Sequence, residues 1–270
     1  MTTVNVYIIS TSKPDQPNGI SPQAKRLYDL FASPIFQTTI LKLDSTPNNI
    51  KTDYPGFDGE SKNELYRFLL ALKDGSKAMT KDPILYITDT SITDADASTI
   101  EAIVTSLLTN SWDICYLSKW LDSCDLYDEK KQINKNGTIL VNAVNPHGIQ
   151  AILVRPDRFI VDAATGELSL KDGTKVEFEN NLSQSMQKLI VTKKIMATTV
   201  SPNLFQVDPM TITNPEDYVK LNECREPSSV IVVPSGAKSG YGYGNMWIWI
   251  ILLVILIIAG YFGYQKFYKQ

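Results

Sequence analysis

DPILYITDTSITDAD, Asp82 to Asp96, is the stretch on which the fold turns. Its first half, Ile84 to Thr88, is a short and almost wholly apolar run of the kind that is buried on both faces of a parallel sheet. The run stops at Asp89, and beyond it the period changes. In DADASTIEAIVTSLLTN the residues Ile100, Ile103, Val104, Leu107 and Leu108 recur at helical spacing. Thr93 stands where a helix cap belongs, with Asp96 three residues on, so Asp94 and Asp96 are expected to be first-turn acids that favour the helix dipole. As a metal-chelating Asp-x-Asp pair they would need a strand, where i and i+2 share a side. At a helix start they lie about 200° apart.

Outward from this stretch, strand and helix signals alternate. VNVYIIS (4–10) reads as a first strand closed by a loop with Pro14, Pro17 and Gly19, and SPQAKRLYDLF (21–31) as a helix with Ser21 at the cap and Pro22 at its first position. TTILKLD (38–44) is a second strand. SKNELYRFLLALKDG (61–75) is a helix with Leu65, Phe68, Leu69 and Leu72 on one face and Gly75 as its stop. WDICYLS (112–118) is a further strand, in which Trp112 is expected in the core. This rhythm predicts an α/β fold, a mostly parallel sheet with helices on both faces, whose ligands sit at the carboxyl ends of the strands. No GxGxxG or GxxxxGK[ST] loop is present, which removes the main support for a Rossmann or P-loop site. From His147 onward, HGIQAILVRPDRFIV holds a strand, a turn-rich region and a helix come next, and SPNLFQVDP is extended; these belong to the same domain.

The chain has 270 residues, 43% hydrophobic and 20% charged, and a formal charge of -3, so it is globular and carries no basic footprint for nucleic acid. Cys115, Cys124 and Cys224 form no CxxC pair and read as free thiols in a reducing compartment. With His147 as the sole histidine, a His/Cys zinc site finds no recognised ligand spacing. The amino terminus lacks the basic region of a signal peptide, which places the main domain on the cytosolic side. At the other end MWIWIILLVILIIAGYF, Met246 to Phe262, is uncharged for 17 residues, and Gly263 and Tyr264 extend it to a length that spans a bilayer. Aromatic residues flank it, including Trp247, Trp249, Phe267 and Tyr268. The expected organisation is a domain over 1–233, a Gly/Ser/Tyr-rich linker over 234–245, a single transmembrane helix over 246–264 acting as a tail anchor, and a short tail over 265–270. Asn136-Gly137-Thr138 and Asn181-Leu182-Ser183 fit the glycosylation sequon, which arises often by chance.

Six segments in order resemble family 25 glycosyltransferases. VYIIS matches that family's opening strand, and GESKNELYRFLLALKDG a helix that the family enters through a Ser-His pair. ILYITDTS stands where the family has a strand ending in Glu-Asp-Asp, WDICYLS where it has a Trp-Asp-Ile strand, HGIQAILVRPDRF where it has a Thr-His-Ala-Tyr strand, and SPNLFQVDP where it has a Pro-x-Leu-x-x-Gln segment. The resemblance spans about residues 4–209 and implies a nucleotide-sugar-binding sheet of the GT-A type. It further implies a UDP-sugar donor with Mn or Mg, Asp89 on the metal, His147 and Gln206 on the donor side, and Asp113 as a catalytic carboxylate. Such a metal neutralises the charge that develops on the departing diphosphate, and inversion needs a carboxylate to take the acceptor's proton.

The sequence departs from the family where the chemistry sits. Glu-Asp-Asp has become Thr88, Asp89, Thr90, and the Ser-His pair has become Ser61 and Lys62. Two functions are therefore expected. The first is a degenerate glycosyltransferase-like protein without cofactor, membrane-anchored, with a structural or interaction role. By analogy with family-like domains of large DNA viruses, it would join an internal virion membrane to capsid or other membrane-associated proteins. The second is an active, metal-dependent inverting glycosyltransferase at a membrane surface.

Overall fold

The apolar run at Ile84–Thr88 becomes a fully buried strand near the middle of the sheet, as its composition requires. A computed structural model of the chain describes residues 3–10, 20–42, 59–77, 82–127, 131–133, 137–162, 165–211 and 222–224. The chain divides into two units, Met1–Glu226 and Pro227–Gln270. All described residues belong to the first. The linker over 234–245, the apolar run over 246–264 and the sequon residue Asn136 lie outside them. Among the described residues no helix is long and apolar enough to cross a membrane.

In chain order the elements are β1 (Val4–Ile9), α1 (Pro22–Leu30), β2 (Phe36–Leu41), α2 (Gly59–Lys77), β3 (Ile84–Thr88), β4 (Ser91–Ile92), α3 (Ala97–Leu108) and β5 (Ile114–Trp120). They continue with β6 (Lys131–Gln132), β7 (Ile139–Asn142), β8 (His147–Val154), β9 (Phe159–Val161), β10 (Leu168–Leu170), α4 (Leu182–Val191), β11 (Ala197–Ser201) and β12 (Gln206–Val207). Eight strands form one sheet in the order β2-β1-β3-β8-β5-β11-β7-β6. β1 pairs in parallel with both β2 and β3, and β5 with β11. β8 runs antiparallel between β3 and β5, and β7 antiparallel between β11 and β6. The sheet is therefore mixed, with only β7 and β8 opposing the common direction. The strand that begins at His147 sits at the centre of the sheet that the first 120 residues start.

Helices cover both faces because alternate strand residues are apolar on both. α1 and α3 pack Leu27, Ile100, Val104 and Leu107 over Val6, Ile8, Leu85, Ile87 and Leu117. α2 and α4 pack Leu65, Phe68, Leu69, Met186 and Leu189 over Ile9, Tyr86, Ile114, Tyr116 and Ile152. Trp112 is core, as expected: it is 1% exposed, donates from Nε1 to Leu107 O at 2.8 Å, and carries the Arg155 guanidinium 4.6 Å above its ring.

Two helix boundaries differ from the sequence expectation. Gly75 does not stop α2, which runs on to Lys77. It is instead a point of close approach: a Cβ there would collide with Ile84 Cδ1 and lie 2.8 Å from Cγ1, so glycine lets the helix settle onto β3. The cap of α3 is Asp96 rather than Thr93. Asp96 is extended and accepts the Thr99 N–H at 2.8 Å, while the Thr93 hydroxyl donates to Leu204 O at 2.7 Å and so ties the β3–α3 connection to the segment before β12.

Candidate functional site

The parallel direction of β1, β3 and β5 brings their carboxyl ends to one edge, and antiparallel β8 begins there, with His147 opposite Trp120. Asp89 comes directly after β3 at this edge and is 5% exposed. Its backbone N–H donates to Ile9 O at 2.9 Å, and its Oδ2 accepts the Ser21 hydroxyl at 2.5 Å. Ser21 in turn accepts the Ala24 N–H at 2.9 Å as the cap of α1, and its own N–H donates to Ser10 Oγ at 3.1 Å. The flanking threonines pair with each other, Thr88 Oγ1 lying 2.7 Å from Thr90 Oγ1. The Asp89 carboxylate thus fastens the first turn of α1 to the ends of β1 and β3. A divalent Mn or Mg ion takes several oxygen ligands, carboxylates foremost. Asp89 is engaged by a serine hydroxyl and tied down through its backbone, and among the described residues no three His, Cys, Asp or Glu side chains come close enough to hold a metal. Among the described residues this donor set does not make up such a ligand shell.

His147 and Gln206 lie at the same edge as Asp89. His147 is half-buried, with Nε2 2.8 Å from the Gln187 side-chain nitrogen on α4. Gln206 is exposed on β12, which pairs with β4 just after Asp89, and it lines a cavity of about 190 Å³ with Thr93, Asp94, Asn203 and Leu204. Asp113 is elsewhere. It precedes the first residue of β5, whereas Asp89 comes after the last residue of β3, so parallel strands set the two carboxylates at opposite edges of the sheet. At about 3.3 Å per residue, β5 alone separates them by roughly 20 Å. Asp113 is 6% exposed; its Oδ1 is 2.6 Å from Arg158 Nε, and its Oδ2 accepts the Met196 N–H at 2.8 Å. A general base must reach the proton that it takes within about 3 Å or through one water. Asp113 and Asp89 therefore do not form one site.

The cysteines correct the free-thiol expectation. Cys124 and Cys224 form a disulfide across 100 residues, and only Cys115 remains free, buried in β5, where desolvation pushes its thiol up to about 12. The bond holds a strap, residues 222–224, against the end of β5: Leu121 N–H donates to Asn222 O at 2.8 Å and Asp122 N–H to Glu223 O at 3.0 Å. Glu223 reaches inward to Lys119, a fully buried lysine of β5, with Nζ···Oε2 at 3.2 Å. The motifs pointed to none of Lys119, Glu223 or the disulfide. A signal was there: Cys115 lies within an apolar strand, whereas Cys124 and Cys224 stand in polar segments, LDSCDL and LNECREP.

No protein-family model matches the sequence, and no curated protein matches it. Among solved structures, the crystal structure of A197 from STIV is similar over 76% of this chain and 83% of that one, at 10% identity and a TM-score of 0.39.

Proposed function

We propose that the domain is a glycosyltransferase-like α/β scaffold whose catalytic centre is lost, and that it serves as a structural or interaction module attached to a membrane through residues 246–264. The observation that carries this reading is the Ser21–Asp89 hydrogen bond at 2.5 Å on a carboxylate only 5% exposed. A carboxylate that bridges a metal to a diphosphate has to face the ligand. This one faces the cap of α1. The position of Asp113, bound to Arg158 at the far edge, supports the same reading. The six ordered segments support the likeness to the GT-A type of sheet. In this reading there is no cofactor, the membrane is entered by the apolar run of the sequence, and the partner is a protein layer beside that membrane, such as the capsid of a virion around its internal membrane.

Titration calorimetry of the full chain in detergent with UDP-sugars and Mn tests the proposal. No saturable heat is expected. Sugar transfer that Asp89→Asn abolishes would instead establish the metal-dependent inverting transferase. Quantifying the protein in purified particles tests the structural role, for which a high and fixed copy number is expected.

A further inference from the structure

The strap over 222–224 occupies a cradle that the rest of the fold builds without it. Lys119 Nζ, on a side chain with no exposed surface, points to Glu223 Oε2 at 3.2 Å, and the Asn203 backbone N–H donates to Glu223 Oε1 at 2.8 Å. One carboxylate thus receives an ammonium and an amide through its two oxygens. Both donors are fixed by contacts that do not involve the strap. The Asn203 side chain donates to Lys119 O at 2.8 Å and accepts the Lys119 N–H at 3.1 Å, which locks the two residues to each other. The next residues, Leu204 and Phe205, both donate backbone N–H groups to Leu117 O, at 2.9 and 3.1 Å. Lys119 Nζ also lies 3.4 Å from Val200 O and 5.9 Å from the centre of the Tyr127 ring. Among the described residues the strap that completes the cradle is joined from outside by the Cys124–Cys224 bond and by the backbone hydrogen bonds from Leu121 and Asp122.

We propose that Lys119 Nζ and the Asn203 N–H form a carboxylate-binding site, which the chain's own Glu223 fills while Cys124 and Cys224 are joined, and which opens to an external carboxylate when that bond is reduced. The site takes a carboxylate because a carboxylate of the protein already fits it through both oxygens. A cellular dithiol supplies the step. Its thiolate attacks one sulfur of the Cys124–Cys224 bond and releases the other as a thiolate. Its second thiol then attacks the dithiol sulfur of the mixed disulfide and displaces the remaining protein cysteine, so that two electrons and two protons pass to Cys124 and Cys224 while the dithiol becomes a cyclic disulfide. With the strap freed, its contact with Lys119 competes as a tethered ligand rather than a stapled one. The ligand is either a small organic acid or an acidic side chain of a protein at the same membrane, and both present the same group. The site is independent of Asp89, so it stands or falls separately from the loss of the catalytic centre.

The test uses the full chain in detergent at constant ionic strength, with thermal unfolding followed in sodium acetate and in sodium chloride. Oxidised wild-type protein is expected to unfold at the same temperature in both salts. Reduced protein and the Cys124→Ser/Cys224→Ser variant are expected to gain several degrees in acetate, saturably, and to lose the gain with Lys119→Met. Glu223→Ala with the disulfide intact is a second route to an empty cradle, and should show the same acetate response. Replacing acetate by the peptide Gly-Glu-Gly separates the sources: a larger shift with the peptide favours a protein partner, and an equal or smaller one a small acid. No acetate response in either the reduced protein or Glu223→Ala, an equal response in the oxidised wild type, or persistence of the response in Lys119→Met would overturn the proposal.

Discussion

Ser21 and Asp89, 68 residues apart in the sequence, share a hydrogen bond of 2.5 Å that joins the cap of the first helix to the end of the third strand. The same serine accepts the Ala24 N–H, so one hydroxyl serves helix α1 and the sheet together. Replacing Asp89 by alanine leaves a half-buried hydroxyl without its acceptor and should cost about 1.5–3 kcal/mol, the range for a hydrogen bond to a charged group. Replacement by asparagine keeps an acceptor and should cost about half as much. Thermal unfolding of the two variants beside wild type measures both. A metal-binding carboxylate would give the reverse, because removing it from an empty site relieves charge and raises stability.

At the opposite edge, Asp113 holds Arg158 and the Met196 N–H at once, pinning the connection after β8 and the start of β11 to the start of β5. Asp113→Ala should destabilise the domain by about 2 kcal/mol, since a backbone N–H and a guanidinium both lose their partner. Arg158→Ala should cost less, because about half of the arginine side chain is in solvent. Chemical denaturation of the two variants provides the comparison. Equal losses would mean that the ion pair, rather than the backbone bond, carries the effect.

Asp96 gives the domain a definite acid response. The Thr99 backbone N–H, then the Thr99 and Ser98 side chains, hold its carboxyl below the usual carboxylate value. A carboxylate with a lowered folded pKa contributes stability that is complete above its unfolded value, about 3.9, and is lost as pH falls through the folded value. The difference in unfolding temperature between wild type and Asp96→Ala should therefore be constant from pH 8 to about 5 and shrink below about 4. Unfolding measured across that range in one buffer series checks the sign.

The thiols should report the disulfide directly. With Ellman's reagent the native chain should show no reactive thiol, since Cys115 is buried and its desolvated thiol is pushed up to about 12. In denaturant without reductant, Cys115 alone should react. Prior reduction should raise the count to all three cysteines of the sequence. Three thiols in unreduced, denatured protein would restore the reading of free cysteines in a reducing compartment.

How much of the fold was legible depends on the range of each interaction. The strand at Ile84–Thr88, the Ser21 cap with Pro22 behind it, and the apolar face of α3 come from residues within a few positions of one another, and they stand where the sequence puts them. The place of β8 between β3 and β5 was not legible, because strand order is a matter of pairing between residues 27 to 70 positions apart. Asp89 and Asp113 each had the right local setting for chemistry, acid beside a buried strand. Only the strand directions show that they face opposite edges. The disulfide and the Lys119–Glu223 pair join residues at least 100 apart and leave no periodic trace, apart from the polar setting of the two cysteines.

Gly75 shows the same limit in a form that a single substitution can test. Its place after an apolar helical face looks like a stop, yet α2 continues past it, and the missing side chain is what lets the helix approach β3. In a free helix, Gly75→Ala would be favourable by about 1 kcal/mol. Here the new Cβ would run into Ile84 Cδ1 and fall 2.8 Å from Cγ1, on a side chain only 1% exposed in a close-packed core. Overpacking of that kind costs about 1–3 kcal/mol, so the net change should be a loss of up to about 2 kcal/mol. Combining it with Ile84→Val, which removes the atom that the Cβ meets first, should recover most of the loss. A double-mutant cycle on unfolding free energy settles the matter: coupling between the two positions is expected, and additivity would mean that helix and strand do not meet at Gly75.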